Sequence, residues 1–308
     1  MEKPLWKKIS LIVLSIVLVL IIGVGAYTFS IFSHAKQVVN DNMQETVTNI
    51  DKKVVKQKVN DRQSLNILLL GVDKRGGDRG RSDALMVLSL DPKNDRMQLV
   101  SIPRDTRTLI VGKGTEDKIN HAYAFGGADM SIATVENLLD IELDYFVQIN
   151  MEGLADLVDL LGGITVENEL DWVDTGYYQK GYHYEKGQIQ LDGPQAMGFI
   201  RMRYQDPKGD FGRTERQRKV IAAILDKGVN IGAVNKIKGA INVLGNNMTT
   251  NMDFDDMQDL LFNYASVRHN SESYMMQGSG TKIDGVYYYL VPEEEVMKVH
   301  GMIEDMES

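Results

Sequence analysis

Apolar and polar positions divide the 308-residue chain into three stretches. The first, Ile9 to Phe29, is an uncharged run of 21 residues, ISLIVLSIVLVLIIGVGAYTF. At ~1.5 Å rise per residue, a helix of that length spans the ~30 Å apolar core of a bilayer. Lys3, Lys7 and Lys8 precede it. The positive-inside rule then places residues 1–8 in the cytoplasm and everything beyond the span outside the cell membrane. The run is longer than the ~7 to 15 apolar residues of a cleaved signal peptide and lacks a small-x-small exit, which favours a retained single-pass anchor. Residues 30–63 are polar and charge-mixed, without Pro or Gly, and read as an extracellular stalk, a fraying helix at most. The globular domain is expected over 64–308.

Within that domain, Asn66 to Leu70 (NILLL), Ala84 to Leu90 (ALMVLSL) and Met97 to Ile102 (MQLVSI) predict three strands. The first two are nearly continuous apolar runs, the mark of strands covered on both faces. DPKNDR joins the second and third as a hairpin turn. Helical patterns over Ala128 to Asp140, Glu152 to Leu161, Gly212 to Lys227 and Phe254 to Tyr264 then alternate with strand signals at Tyr145 to Ile149, Ile164 to Val166, Tyr274 to Gln277 and Tyr287 to Val291. Pro292 opens a last helix. The expected fold is a three-layer α/β/α sandwich with a central mixed sheet, preceded by one transmembrane helix.

Composition removes several kinds of chemistry. Without cysteine there is no disulfide, thiolate metal site or cysteine nucleophile. Five histidines in no HExxH-like spacing argue against zinc. A net charge of −9 withholds the basic footprint that nucleic-acid binding needs.

Against that acidic background, FIRMRYQDPKGDFGRTERQR, residues 199–218, holds five arginines and one lysine. Asp192 and Pro194 predict a short helix start just before it. Arg201 and Arg203, two apart, project to one side of extended chain. Counting back from Val220, Ile221 and Ile224 along the next helix puts Gln217 and Arg213 on its inward face, with Arg216 and Arg218 turned to solvent. A guanidinium facing inward at a helix N-terminus calls for an anion, and Arg forks together with free N–H groups suit phosphate. Pairing of the arginines with Asp206, Asp210 and Glu215 is the purely structural alternative.

A meander of the first three strands brings more charge to one rim. Strand one ends in GVD with Asp73, strand two starts beside Asp83, and strand three ends in IPRDTR with Arg104, Asp105 and Arg107. Two aspartates supply the hard oxygen ligands of Mg²⁺, with Mn²⁺ as the alternative ion, whose coordination is completed by water and substrate phosphate. The combination reads as a pyrophosphate and metal site.

The motif order GVDKR, RSDALMVLSLDP, VSIPRDT, INHAYAFGG, LDGPQAMGFIRMR and GDFGRTERQ resembles the LytR-CpsA-Psr family over roughly residues 65–225. The resemblance implies a transferase that moves an anionic glycopolymer, wall teichoic acid foremost, from an undecaprenyl pyrophosphate carrier to a peptidoglycan muramic acid hydroxyl, with Mg²⁺. By resemblance, Asp73 and Asp83 are the metal-associated acids. Arg104, Arg201, Arg203, Asp210, Arg213 and Gln217 contact the pyrophosphate, and Asp83, Arg104 and Asp105 are the catalytic set. Asp105 or Asp210 is the candidate general base. The family fold also implies an apolar tunnel for the prenyl chain, whose lining is indistinguishable in sequence from core. A pyrophosphatase using water as the nucleophile, a membrane-anchored transcriptional attenuator and a passive polyanion binder are the rival functions.

Overall fold

The computed structural model describes residues 27, 29–73, 80–176, 179–228 and 234–307. The expected membrane span lies outside the described residues except for Tyr27 and Phe29, as does the loop 74–79 that carries Arg75 and Arg79. Among the described residues no helix is long and apolar enough to cross a membrane.

The strands in chain order are β1 (Leu65–Asp73), β2 (Arg81–Asp91), β3 (Arg96–Ile102), β4 (Arg107–Ile110), β5 (Thr115–Lys118), β6 (Tyr145–Asn150), β7 (Ile164–Asn168), β8 (Trp172–Val173), β9 (His183–Tyr184), β10 (Gly187–Leu191), β11 (Met248–Thr250), β12 (Ser271–Met275), β13 (Ser279–Ile283) and β14 (Val286–Leu290). The helices are α1 (Lys52–Asn60), α2 (His121–Leu139), α3 (Met151–Leu160), α4 (Gly193–Arg201), α5 (Asp210–Gly228), α6 (Val234–Asn247), α7 (Phe254–Asn263) and α8 (Glu293–Glu304).

The central sheet is mixed, in the order β11-β6-β1-β2-β3-β12. The β1–β2–β3 meander is antiparallel, while β6 and β12 join it in parallel. Its two faces separate by the period-2 rule. Leu68, Leu70, Leu85 and Val87 point to a core shared with Ile132 and Val135 of α2 and Val299 and Ile303 of α8. Leu65, Ile67, Met86 and Leu88 point to an opposite core with Val55 and Val59 of α1, Tyr264 and Val267. Burial on both faces is why β1 and β2 read as unbroken apolar runs. The 92–95 turn is held by Asp91, whose Oδ1 accepts from the amides of Lys93 and Asn94, both at 3.2 Å.

Ile164–Asn168 forms a strand but stays outside the central sheet, paired instead with β10 over a third core built by α3 and α4. The β13–β14 pair and the β4–β5 pair are likewise separate ribbons.

Residues 30–63 depart from the expected stalk: they lie on the domain. Val39, Met43, Val47, Val55 and Val59 are all buried. Gln44 bridges to Thr250 at the sheet edge, and the Thr48 amide donates to Asp129 Oδ1 at 2.7 Å. Lys58 Nζ reaches the buried carboxylate of Asp144 at 2.8 Å, whose other oxygen accepts from the Asn66 amide of β1 at 2.8 Å. The reason was visible as spacing: Val39 and Met43, like Val55 and Val59, recur four apart, one apolar stripe within a polar segment.

A chain that starts at Ser64 loses those five buried side chains, each contributing ~1.5 to 3 kcal/mol against a total stability of about 5–15 kcal/mol. It is expected to be unfolded or molten. Urea titrations by circular dichroism on 64–308 and 27–308 check this, and equal midpoints would show that the segment is a passive tether.

Candidate functional site

A β-bulge begins the site. Gly71 faces Ala84 and Val72 faces Ser82, so the register skips Asp83 and turns its side chain out of the ladder. Gly71 has to be small here, because a Cβ would sit 3.0 Å from that of Ala84. Asp73 ends β1 opposite Arg81, and its side chain lies outside the described ones. β3 ends at Ile102, and Arg104 follows, with Nη1 donating to Asp83 Oδ1 at 2.6 Å.

From the other side come the ends of α4 and α5. A capping box starts α4: Asp192 Oδ1 accepts from the Gln195 amide and Gln195 Oε1 from the Asp192 amide, both at 2.9 Å. Arg201 is the last residue of α4, a helix terminus where extended chain was expected. Met202 turns extended (φ −58°, ψ 131°) and Arg203 comes after the turn. α5 starts at Asp210, two residues before the expected boundary.

The Asp210 carboxylate is the hub. It stands 2.9 Å from Arg213 Nη2, 3.4 Å from Arg104 Nε and 3.4 Å from Arg203 Nε. Asp105 lies alongside, 3.9 Å from Arg104 Nε and 2.7 Å from Lys118 Nζ. Burial opposes the Arg104 charge, but Asp83 and Asp210 more than offset it and raise its pKa. Burial, and then the Arg104 charge, lower that of Arg213. Among the described residues the buried Nε atoms of Arg104 and Arg213, Oδ1 of Asp210 and Oε1 of Gln217 have no hydrogen-bond partner. A cationic, under-satisfied pocket of this kind accepts a polyanion.

Gln217, one turn below Arg213, also belongs to the wall of an apolar cavity of about 250 Å³. The cavity runs between the sheet (Leu69, Met86, Val147) and helices α3, α5 and α6 (Leu154, Ile221, Leu244). The apolar cavity thus comes within one turn of α5 of the charged rim, and its wall also includes Gly71 and Ala84 next to Asp83.

The profile of the LytR_cpsA_psr family matches residues 27–304. The chain belongs to the LytR-CpsA-Psr family. Curated relatives include the polyisoprenyl-teichoic acid–peptidoglycan teichoic acid transferase TagU of Bacillus anthracis, 46% identical over 93% of this chain and 93% of that one. The crystal structure of Bacillus subtilis TagU is 40% identical with a TM-score of 0.64, over 80% of this chain and 97% of that one. A structure of TagT bound to LIIa-WTA is 29% identical with a TM-score of 0.71, over 85% of this chain and 94% of that one.

In this LytR-CpsA-Psr chain, Asp83, Arg104, Asp105, Arg203, Asp210 and Arg213 are brought together, with Gln217 beside them. Among the described residues no group of three or more His, Cys, Asp and Glu side chains is placed to hold a metal. The Asp83 carboxylate at the rim suits an ion held by one or two carboxylates and completed by substrate oxygens.

Two arginines differ from the expectation of solvated faces. Arg216 is buried: Nη1 contacts Asp206 Oδ2 at 2.5 Å, Nε donates to the Phe199 carbonyl at 2.9 Å and Nη2 to that of Met202 at 2.5 Å. It satisfies the C-terminal carbonyls of α4 and so fastens the Arg201–Arg203 turn to α5. Gly212 admits the arrangement, since a Cβ there would stand 1.7 Å from Asp206 Oδ2. Arg218 is half-buried, reaches Ser101 Oγ at 3.4 Å, and has its pKa lowered by burial. Lys118 was not foreseen, because TEDK carries no periodic signal of a strand.

Replacing Arg216 with Met strands the Asp206 carboxylate in the interior. The expected cost is ~3 to 5 kcal/mol, read as a lower urea midpoint. Unchanged stability would show that the buried pair is not structural.

Proposed function

We propose that this chain is a polyisoprenyl-teichoic acid–peptidoglycan transferase. It moves a lipid-diphosphate-linked anionic glycopolymer, wall teichoic acid foremost, onto a peptidoglycan hydroxyl. The observation that carries the reading is the adjacency of the Asp83–Arg104–Asp210–Arg213 rim to an apolar cavity whose wall includes Gln217, one turn from Arg213. The relatedness to TagU over 93% of the chain supports it.

In this reading Arg104, Arg201, Arg203 and Arg213 bind the diphosphate, and Asp210 holds three of those guanidiniums in register rather than touching phosphate itself. Gln217 marks the junction where head gives way to tail. An acceptor hydroxyl attacks the polymer-proximal phosphorus. A new P–O bond forms, the bond to the bridging oxygen breaks, and undecaprenyl phosphate departs with the electron pair while its tail stays in the cavity. Asp105 takes the hydroxyl proton, being on the rim but outside the Asp210 hub. Mg²⁺, with Mn²⁺ as the alternative, held by Asp83 and Asp73, would neutralise charge on the diphosphate and its leaving group. An N-terminal single-pass anchor holding the domain on the outer face of the cell membrane, where carrier and peptidoglycan meet, belongs to the same proposal.

Asp83→Ala and Arg104→Ala are each expected to lower transfer of a lipid-linked polymer to peptidoglycan in vitro by at least ~100-fold, the scale of losing a preorganised charge contact at the reacting centre. Full activity in either would reject the assignment. Separately, Ile224→Trp fills the cavity. It should weaken binding of undecaprenyl diphosphate by about tenfold or more while leaving a short water-soluble prenyl diphosphate unaffected. Equal losses for both ligands would place the tail elsewhere.

A further inference from the structure

Contacts across the rim run in the order Arg213, Asp210, Arg104, Asp105, Lys118, and Gln217 follows Arg213 by one turn of α5. Gln217 belongs to the cavity, so the lipid leaves on that side. In-line transfer requires the attacking oxygen to come from the opposite end, where Asp105 and Lys118 stand. What lies beyond them is the β13–β14 ribbon. Its Tyr289 amide donates to the Asp105 carbonyl at 2.8 Å. The Tyr289 ring packs on Phe211, the neighbour of Asp210, at 5.3 Å between centroids. The ribbon is thus docked to the catalytic segment through its backbone.

On that ribbon Tyr287 is 42% exposed, with its ring lying over Gly280, where a Cβ would come within 2.6 Å of the phenol oxygen. Lys118 Nζ stands 5.9 Å from the centroid of Tyr287 and 6.0 Å from that of Tyr288. Lys282 is the cross-strand partner of Tyr287. Burial raises the Tyr287 pKa, with further increments from Asp105 and Asp210, which places the phenol within electrostatic reach of both acids.

We infer that Tyr287, flanked by Tyr288, Lys118 and Lys282, is the platform on which the peptidoglycan glycan strand rests as acceptor. Tyrosine offers a large rigid face at small entropic cost, and the C–H face of a pyranose ring is its apolar complement. The neighbouring ammonium groups can donate hydrogen bonds to the hydroxyl, acetamido and lactyl carbonyl oxygens of the glycan. A ring seated on Tyr287 leaves its hydroxyls toward Asp105. The inference rests on the transferase reading, naming where that reaction's second substrate binds.

The experiment uses the full chain in detergent with two probes: a glycopolymer-bearing undecaprenyl diphosphate as donor, whose binding is also measured alone, and an oligosaccharide of alternating N-acetylglucosamine and N-acetylmuramic acid as acceptor. Tyr287→Ala should raise the acceptor KM by about tenfold or more, as expected for truncating a central aromatic anchor, and leave lipid diphosphate affinity unchanged. Tyr287→Phe should restore the acceptor KM to near that of the unaltered protein. Gly280→Ala, which pushes the ring aside from the other strand, should act like the alanine variant. An unaltered acceptor KM in both Tyr287→Ala and Gly280→Ala overturns the platform while the transferase reading stands. If the unaltered protein binds the lipid diphosphate but neither binds nor modifies the oligosaccharide, both fall together.

Discussion

Three guanidiniums from three separate segments meet on one carboxylate, that of Asp210, and the site is organised around this contact. Two unit positive charges ~5 Å apart repel by about 3 kcal/mol at an effective dielectric of ~20, so Arg104, Arg203 and Arg213 cannot share a rim without an anion between them. The carboxylates of Asp210 and Asp83 offset only part of that repulsion. The remainder is visible in Arg213, whose charged form is still disfavoured by burial and by Arg104. The fold therefore maintains a positive potential that only a multiply charged ligand relieves, and a diphosphate, with two phosphate groups on adjacent positions, meets it better than a lone carboxylate or sulfate.

The scaffold that sustains this charge density uses few devices. A bulge at Gly71 aims Asp83 at Arg104. Buried Arg216 ties the last carbonyls of α4 to α5, so the turn bearing Arg201 and Arg203 cannot drift from the helix bearing Arg213. Asp206 neutralises Arg216 in the interior, which leaves Asp210 free to serve the rim. The two aspartates, four residues apart, thus divide the arginines into one structural member and three rim members. Of the two sequence-based readings of this segment, the internal ion pairs are present in the structure, and the anion clamp belongs to the proposed function.

How much of this could be read beforehand depends on the range of the interaction concerned. The β1–β3 meander and the start of α4 follow from local signals, continuous apolar runs and the Asp192 cap with Pro194, and the structure contains them with ends within three residues. Asp83, Arg104, Asp210 and Arg213 were legible because strand ends and helix starts define where side chains collect. Arg216 was not, since its partners are carbonyls at the end of another helix and helical periodicity alone turns it to solvent. The docking of residues 30–63 escaped notice because four buried valines and a methionine are few among many charges. The strand at Tyr287 to Val291 was legible from its apolar run, but its pairing with β13 outside the central sheet was not, and neither was the β4–β5 ribbon; their placement brings Tyr287 and Lys118 to the site. The cavity was invisible for the opposite reason: Leu69, Met86 and Ile221 look the same in sequence whether they face protein or a lipid tail.

The joining of rim and cavity also constrains how such a site can discriminate. Head and tail are recognised by different physics, a short-range charge clamp and an area-dependent apolar wall, and neither alone selects a lipid diphosphate. Free diphosphate engages the arginines but leaves the cavity unfilled. A fatty chain without phosphate fills the cavity but leaves guanidiniums unpaired, at the cost of a desolvated charge without a counterion. Only a molecule with both parts satisfies Gln217's neighbours on either side at once, and the length over which the two must coincide is set by the single helical turn from Arg213 to Gln217. In the proposed reading, selectivity for the carrier resides in the pitch of α5, while the polymer beyond the second phosphate is left to the exposed ribbons around Asp105.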